Sequence, residues 1–209
     1  MIAYVRDPAE IYRQSFATIR AEADLSRVPD DLRDVVVRLI HACGMTDIVA
    51  DLRWSPDFAA RARAALSSGA NVVTDARMVA DGIIDARLRN DGRLRCLLDA
   101  PQLSEQARHQ RTTRSAAAVS VAAADIAGAV IAIGNAPTAL FRLLELVDDG
   151  LAKPAAIVAF PVGFVGAAES KAELAAHPRG IPFLTLQGRR GGSAMAAAAI
   201  NALLAAAQA

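Results

Sequence analysis

Ala129-Val-Ile-Ala-Ile133, followed by Gly134-Asn135-Ala-Pro137-Thr138, decides the fold of this chain. Five apolar residues in a row, with no polar alternation, read as a strand buried on both faces. Glycine ends the run, and proline in the next first turn restarts the chain as a helix. The same grammar recurs from residue 70 onward. Short apolar runs at 71–74, 94–98, 155–160 and 182–186 alternate with helical stretches around 75–81, 103–125, 137–149, 167–176 and 193–207. This alternation predicts an α/β fold, a three-layer αβα arrangement around a mainly parallel five-stranded sheet.

Residues 1–70 read differently, as a helical section packed on the 71–209 core, so that 1–209 forms one domain. Asp7-Pro8-Ala9-Glu10 marks a helix start, with Asp as cap, Pro in the first turn and Glu reaching back, and the helix runs to about Glu22. Pro29-Asp30-Asp31 opens a second helix, whose apolar stripe is Leu32, Val35, Val36, Leu39, Ile40 and Cys43 and whose stop is Gly44. A third runs from Ser55-Pro56 to Gly69. No internal repeat or Pro/Gly/Ser-rich linker divides the chain.

Composition narrows the function. Of 209 residues 54% are hydrophobic and 22% charged, which excludes disorder. Two cysteines, Cys43 and Cys96, cannot build a disulfide scaffold in a chain of this length. A net charge of +1 with 4% aromatic residues supplies neither a basic stripe nor a stacking platform for nucleic acid. Residues 115–134 are long enough to span a bilayer, but Asp125 lies in their middle and Gly128 breaks them, so they read as a buried helix followed by a strand. The start shows no basic stretch leading into a long apolar run, and the expected location is the cytoplasm. Among the cations only Lys153 and Lys171 are lysine; 21 are arginine, the side chain that grips carboxylates two-pronged at any pH.

In open parallel sheets, ligands bind beyond the carboxyl ends of the strands. Four loops fall there: Asp75-Ala-Arg77-Met78, Gly134-Asn135-Ala-Pro137-Thr138, Pro161-Val-Gly163-Phe164-Val-Gly166, and Gln187-Gly188-Arg189-Arg190-Gly191-Gly192-Ser193. Three are glycine-rich and precede helices, where bare amides hold anions. Neither common nucleotide signature is present, so the rim reads as a pocket for an anionic small molecule. Arg108, Arg111 and Arg114, three residues apart, would line one side of a helix. The arginines around Asn90-Asp91-Gly92 read as a surface turn.

Of three histidines, His109 and His177 lie in polar surroundings and read as solvent-facing. His41 points away from the stripe of its helix, towards Val37 and Asp34, and sits in the last turn, where the helix's partial negative charge favours a proton. An imidazole there is suited to act as an acid. Cys43, two residues away, does not face it and packs as a small hydrophobe. No metal-ligand spacing appears.

Read together, the stretches Ile11-Tyr-Arg-Gln-Ser15-Phe, Arg38-Leu-Ile-His41-Ala-Cys-Gly44-Met, Ala76-Arg-Met78-Val-Ala-Asp-Gly82-Ile, Thr113-Arg114-Ser115, Ile133-Gly-Asn135-Ala-Pro137-Thr138, Pro161-Val-Gly163-Phe-Val-Gly166-Ala-Ala-Glu169-Ser-Lys171, and Gly188-Arg-Arg-Gly191-Gly192-Ser193 with Asn201-Ala-Leu resemble the precorrin-8X methylmutase family. Arg190 departs from it, where lysine is frequent, with the charge kept. The resemblance implies an isomerase of cobalamin biosynthesis that moves a methyl group from C-11 to C-12 of a tetrapyrrole, giving hydrogenobyrinate or its cobalt form. It implies His41 as the acid and Ser15 and Arg114 as substrate contacts, with Arg77, Asn135, Arg189, Gly191 and Gly192 as further binding candidates. It also implies a homodimer with the site near the interface, and no cofactor, protein-bound metal, nucleic acid or membrane. Two other readings stay open at this point, a non-catalytic corrin carrier and an α/β enzyme acting on a phosphorylated metabolite.

Overall fold

The Asp7 carboxylate accepts the Ala9 amide at 3.1 Å and opens α1 (Pro8–Glu22) in a computed structural model that describes residues 2–150 and 153–206. Glu10 does not reach back as a capping box would. It binds Arg13 and Gln14 instead, at 2.6–2.7 Å, because Arg13 offers a charged two-pronged partner one turn on. The second helix, α2 (Asp30–Cys43), ends where Gly44 takes φ +69 and returns its amide to the Ile40 carbonyl.

Among the described residues the sheet has six strands rather than five: β1 (Leu52–Trp54), β2 (Val72–Thr74), β3 (Leu94–Cys96), β4 (Val130–Ile133), β5 (Ala156–Ala159) and β6 (Phe183–Leu186). Their order is β1-β6-β5-β4-β2-β3. The five expected strands run parallel. The added β1 lies inside the section read as helical and pairs antiparallel with β6, Leu52 opposite Leu186. Three residues with Arg53 at the centre carry no local strand pattern; the ladder of β6 holds them extended. Successive residues of each inner strand face opposite layers. Val72, Val130, Ala132, Ala156, Val158 and Leu184 join the core under α2. Val73, Ile131, Ile133, Ile157, Ala159 and Phe183 join the core on the other face.

On the first face lie α2, α3 (Phe58–Ser67), α4 (Arg77–Asp81) and α10 (Ser193–Ala206), with α1 packed outside α2. On the second lie α5 (Leu103–His109), α6 (Arg114–Val121), α8 (Pro137–Asp148) and α9 (Ala167–Ala176). The helix expected over 193–207 is described to Ala206; residue 207 lies outside the described residues. The one expected over 103–125 is three pieces, α5, α6 and a short α7 (Ala123–Ile126). Arg111 takes φ +52, and Thr113 caps α6 by accepting the Ala116 amide at 3.2 Å. A capping threonine after a left-handed residue stops one helix and starts another. Arg108, Arg111 and Arg114 therefore do not form a row.

The chain leaves β2 toward β3 on one side and leaves β4 toward β5 on the other, so the strand order reverses between β2 and β4. That is the crevice where open α/β sheets seat ligands. Small residues bring α10 close to it. A Cβ on Gly134 would stand 2.7 Å from Val79 Cγ2 and 2.8 Å from Ser193 Cα, and one on Gly82 would stand 2.8 Å from the Ala197 Cβ. Gly134→Ala should push α10 off the sheet at a cost of about 1–3 kcal/mol, a fall of several degrees in Tm by calorimetry; an unchanged Tm would mean that this contact relaxes freely.

Candidate active site

Asp75 follows β2 and is 1% exposed, in the crevice between β2 and β4. Its two carboxylate oxygens accept the amides of Gly134 at 2.8 Å, Asn135 at 3.0 Å and Ala136 at 2.7 Å. Burial pushes its pKa up, and the three amides oppose the shift. The switch-point seat, an anion position by geometry, is thus filled by the protein's own carboxylate. The loops expected to form the rim lie around it. The sequence puts Asp75 at the head of a rim loop, but its role as acceptor for the loop after β4 is not assigned there, although an acid directly after a strand at such a crevice is a signal for it.

The rim loops are tied together pairwise. Asn135 is exposed, with its backbone held by Asp75. Thr113 Oγ1 and Thr138 Oγ1 lie 2.7 Å apart, which brings Arg114, the first residue of α6, beside the start of α8. Arg114 is exposed and has no acidic partner among the described residues. Arg77 is exposed too, but its guanidinium pairs with Asp99 towards β3. In the β6–α10 loop, Arg189 stacks on the Phe164 ring at 5.5 Å, and Phe164 is 85% exposed. Its neighbour Arg190 turns the other way, to Asp47 at 2.6 Å and Asp51 at 2.8 Å. The loop's two arginines are therefore divided, one at the surface and one joining the loop to the segment that follows α2.

That segment continues the helix that carries His41. His41 Nδ1 lies 2.8 Å from Ser15 Oγ on α1. Its ring packs edge-on against Phe16 at 5.3 Å and lies tilted by 37° against Tyr12 at 5.4 Å. His41 is exposed, as its direction off the stripe implied, and one side of its ring is held by Ser15, Phe16 and Tyr12 of α1. Val37, expected on the same open side, is buried, because α2 packs on both flanks. Engagement of Nδ1 leaves Nε2 as the ring nitrogen with no protein partner among the described residues. When the Ser15 hydroxyl donates, the ring proton sits on Nε2. Cys43 is half-buried against the core, and burial pushes its thiol pKa up, which suits a packing role. His109 and His177 are exposed, the latter 3.3 Å from Glu173.

The profile of precorrin-8X methylmutases matches residues 10–206. The chain belongs to the precorrin-8X methylmutase family. A precorrin-8X methylmutase from Pseudomonas aeruginosa is 57% identical over 203 residues, covering 97% of this chain and 98% of that protein. A cobalt-precorrin-8 methylmutase from Priestia megaterium is 36% identical over 197 residues, covering 94% of this chain and 87% of that one. The crystal structure of a precorrin-8X methylmutase from Thermus thermophilus superposes with a TM-score of 0.85 at 35% identity, covering 95% of this chain and 96% of that chain. Family membership places the chain among methylmutases, which are isomerases of cobalamin biosynthesis. No helix of the described residues is long and apolar enough to cross a membrane.

Asp75→Asn replaces one acceptor oxygen by a donor facing backbone N–H groups. It should cost about 1–3 kcal/mol, seen as a lower denaturation midpoint with an unchanged slope. A midpoint equal to wild type would show that the loop after β4 holds itself.

Proposed function

We propose that this protein moves a methyl group from C-11 to C-12 of precorrin-8X, giving hydrogenobyrinate, or performs the same shift on the cobalt form. One carbon–carbon bond breaks and another forms within one molecule, so no atom or electron is gained or lost. The observation that carries this reading is the Ser15–His41 pair on the exposed aromatic edge of α1 and α2, joined to the anion rim through Arg190. Ser15 fixes the imidazole by Nδ1; the neutral ring hydrogen-bonds the macrocycle through Nε2–H, and the imidazolium, its Nδ1–H donated to Ser15 Oγ, gives up its Nε2 proton and is left as neutral imidazole. Drawing electron density from the conjugated ring weakens the bond to the migrating methyl and favours its new position.

The macrocycle carries acetate and propionate arms, and the rim supplies donors of matching chemistry. Arg114 and Arg189 present guanidinium groups, Asn135 a side-chain amide, and Gly191 its backbone amide ahead of α10; Gly192, also expected among the donors, gives its amide to the Phe160 carbonyl at 2.8 Å and shapes the loop instead. Arg77 would join them by exchanging Asp99 for a substrate carboxylate. The working unit is a homodimer of single-domain chains, 1–209, in the cytoplasm, with the site near the subunit interface. Exposed Tyr12 beside His41, Tyr4 and Ile11 nearby in sequence, and Phe164 and Val165 on the rim support an apolar surface that a second copy covers.

Replacing His41 by Ala should lower kcat about 10²–10⁴-fold in an absorbance assay of precorrin-8X conversion, with pigment binding kept; turnover near wild type would remove the acid from this imidazole. For Arg114→Ala the expected change is weaker pigment binding by about 1.5–3 kcal/mol, read by titration calorimetry. An unaltered Kd would place Arg114 outside the ligand's reach.

A further inference from the structure

Lys171, in α9, is 0% exposed, and no step above uses it. A cation this deep is costly unless it is firmly engaged, and burial pushes its pKa down to about 8. Its one hydrogen-bond partner among the described residues is the Arg190 carbonyl, at 2.5 Å. The preceding carbonyl, that of Arg189, accepts the Gly163 amide at 3.2 Å. Two consecutive carbonyls of the β6–α10 loop are thus held by the β5–α9 segment.

The peptide bonds here are trans. In a trans peptide the N–H of the next residue points opposite to the carbonyl. The Arg190 and Gly191 amides therefore face away from the groups that hold those carbonyls, and neither has an acceptor among the described residues. Gly191 has no freedom to turn back. Its backbone lies against the Phe160 carbonyl with no room for a Cβ, and the Gly192 amide donates to that same carbonyl at 2.8 Å. Beyond Arg190 the side chain runs on to Asp47 and Asp51, just past the helix of His41.

We infer that Lys171 is a positioning residue: by drawing the Arg190 carbonyl inward it turns the Gly191 amide outward as a donor to a carboxylate arm of the ligand, and it sets Arg190 for its grip on the segment after His41. The role rests on the tetrapyrrole reading of this site and names how one of its arms is held. It also explains why the core keeps a lysine where a leucine or methionine would avoid the cost of burying charge.

The test titrates ¹⁵N-labelled wild-type protein with hydrogenobyrinate and follows the Gly191 amide and the His41 ring by NMR. Both signals should move over the same concentration range. Lys171→Met should lose the Gly191 shift and raise KM for precorrin-8X about tenfold or more, with a much smaller change in kcat. Lys171→Arg, which keeps a charged donor, should recover part of both. If the His41 ring responds and the wild-type Gly191 amide does not, the role assigned to Lys171 is overturned and the site stands. If neither responds, the site itself is misplaced and the role goes with it. A Lys171→Met protein that folds by circular dichroism, with KM and the Gly191 shift as in wild type, overturns the role as well. Should that variant fail to fold, the wild-type titration decides alone.

Discussion

One carboxylate organises the carboxyl end of the sheet in this protein. Asp75 closes the crevice between β2 and β4 and holds three successive amides of the loop after β4. In other open α/β sheets that crevice admits the ligand. Here an internal anion fills it and ties the strand ends together, and the proposed binding surface lies outward, on the rim and the flanking helices. A flat macrocycle with charged arms needs such a broad surface more than it needs a deep slot.

The second constraint is the close approach of α10. Gly82, Gly134, Ala196 and Ala197 let it lie against the sheet and against α4. Asn201, from the same helix, accepts the Ile84 amide and donates to the Gly82 carbonyl, both at 2.8 Å, and so fixes the turn after α4. Because α10 also packs on α2, the helix that carries His41 is braced by the helix that follows the glycine-rich loop after β6. The bland alanine content of 193–206 is therefore a packing requirement of the site's scaffold.

Charge is distributed with the same economy. Arg190, Arg77 and Arg95 each have an internal acidic partner, in Asp47 with Asp51, Asp99 and Asp125. Arg114 and Arg189 do not, although Arg77 and Arg190 lie in the same group of loops. A count of 21 arginines could not separate these groups, since ion pairing depends on which loops meet.

Local pattern alone determined the parallel strands, the helices that cover them, the glycine stop after His41 and the off-stripe direction of that imidazole. Each of these follows from periodicity or from a cap within a few residues, which neighbours along the chain can encode. Tertiary structure decided the rest. The strand 52–54 forms because β6 offers it a ladder. Helix 103–125 breaks at Arg111, a residue with no glycine-like signal. Ser15 meets His41 across 26 positions, and Asp75 meets Gly134 across 59. The break at Arg111 is made locally, by its left-handed backbone and the Thr113 cap; the other three share one physical reason. Hydrogen bonds between distant segments form only once packing has brought their donors and acceptors together, and that proximity leaves no periodic trace in either segment.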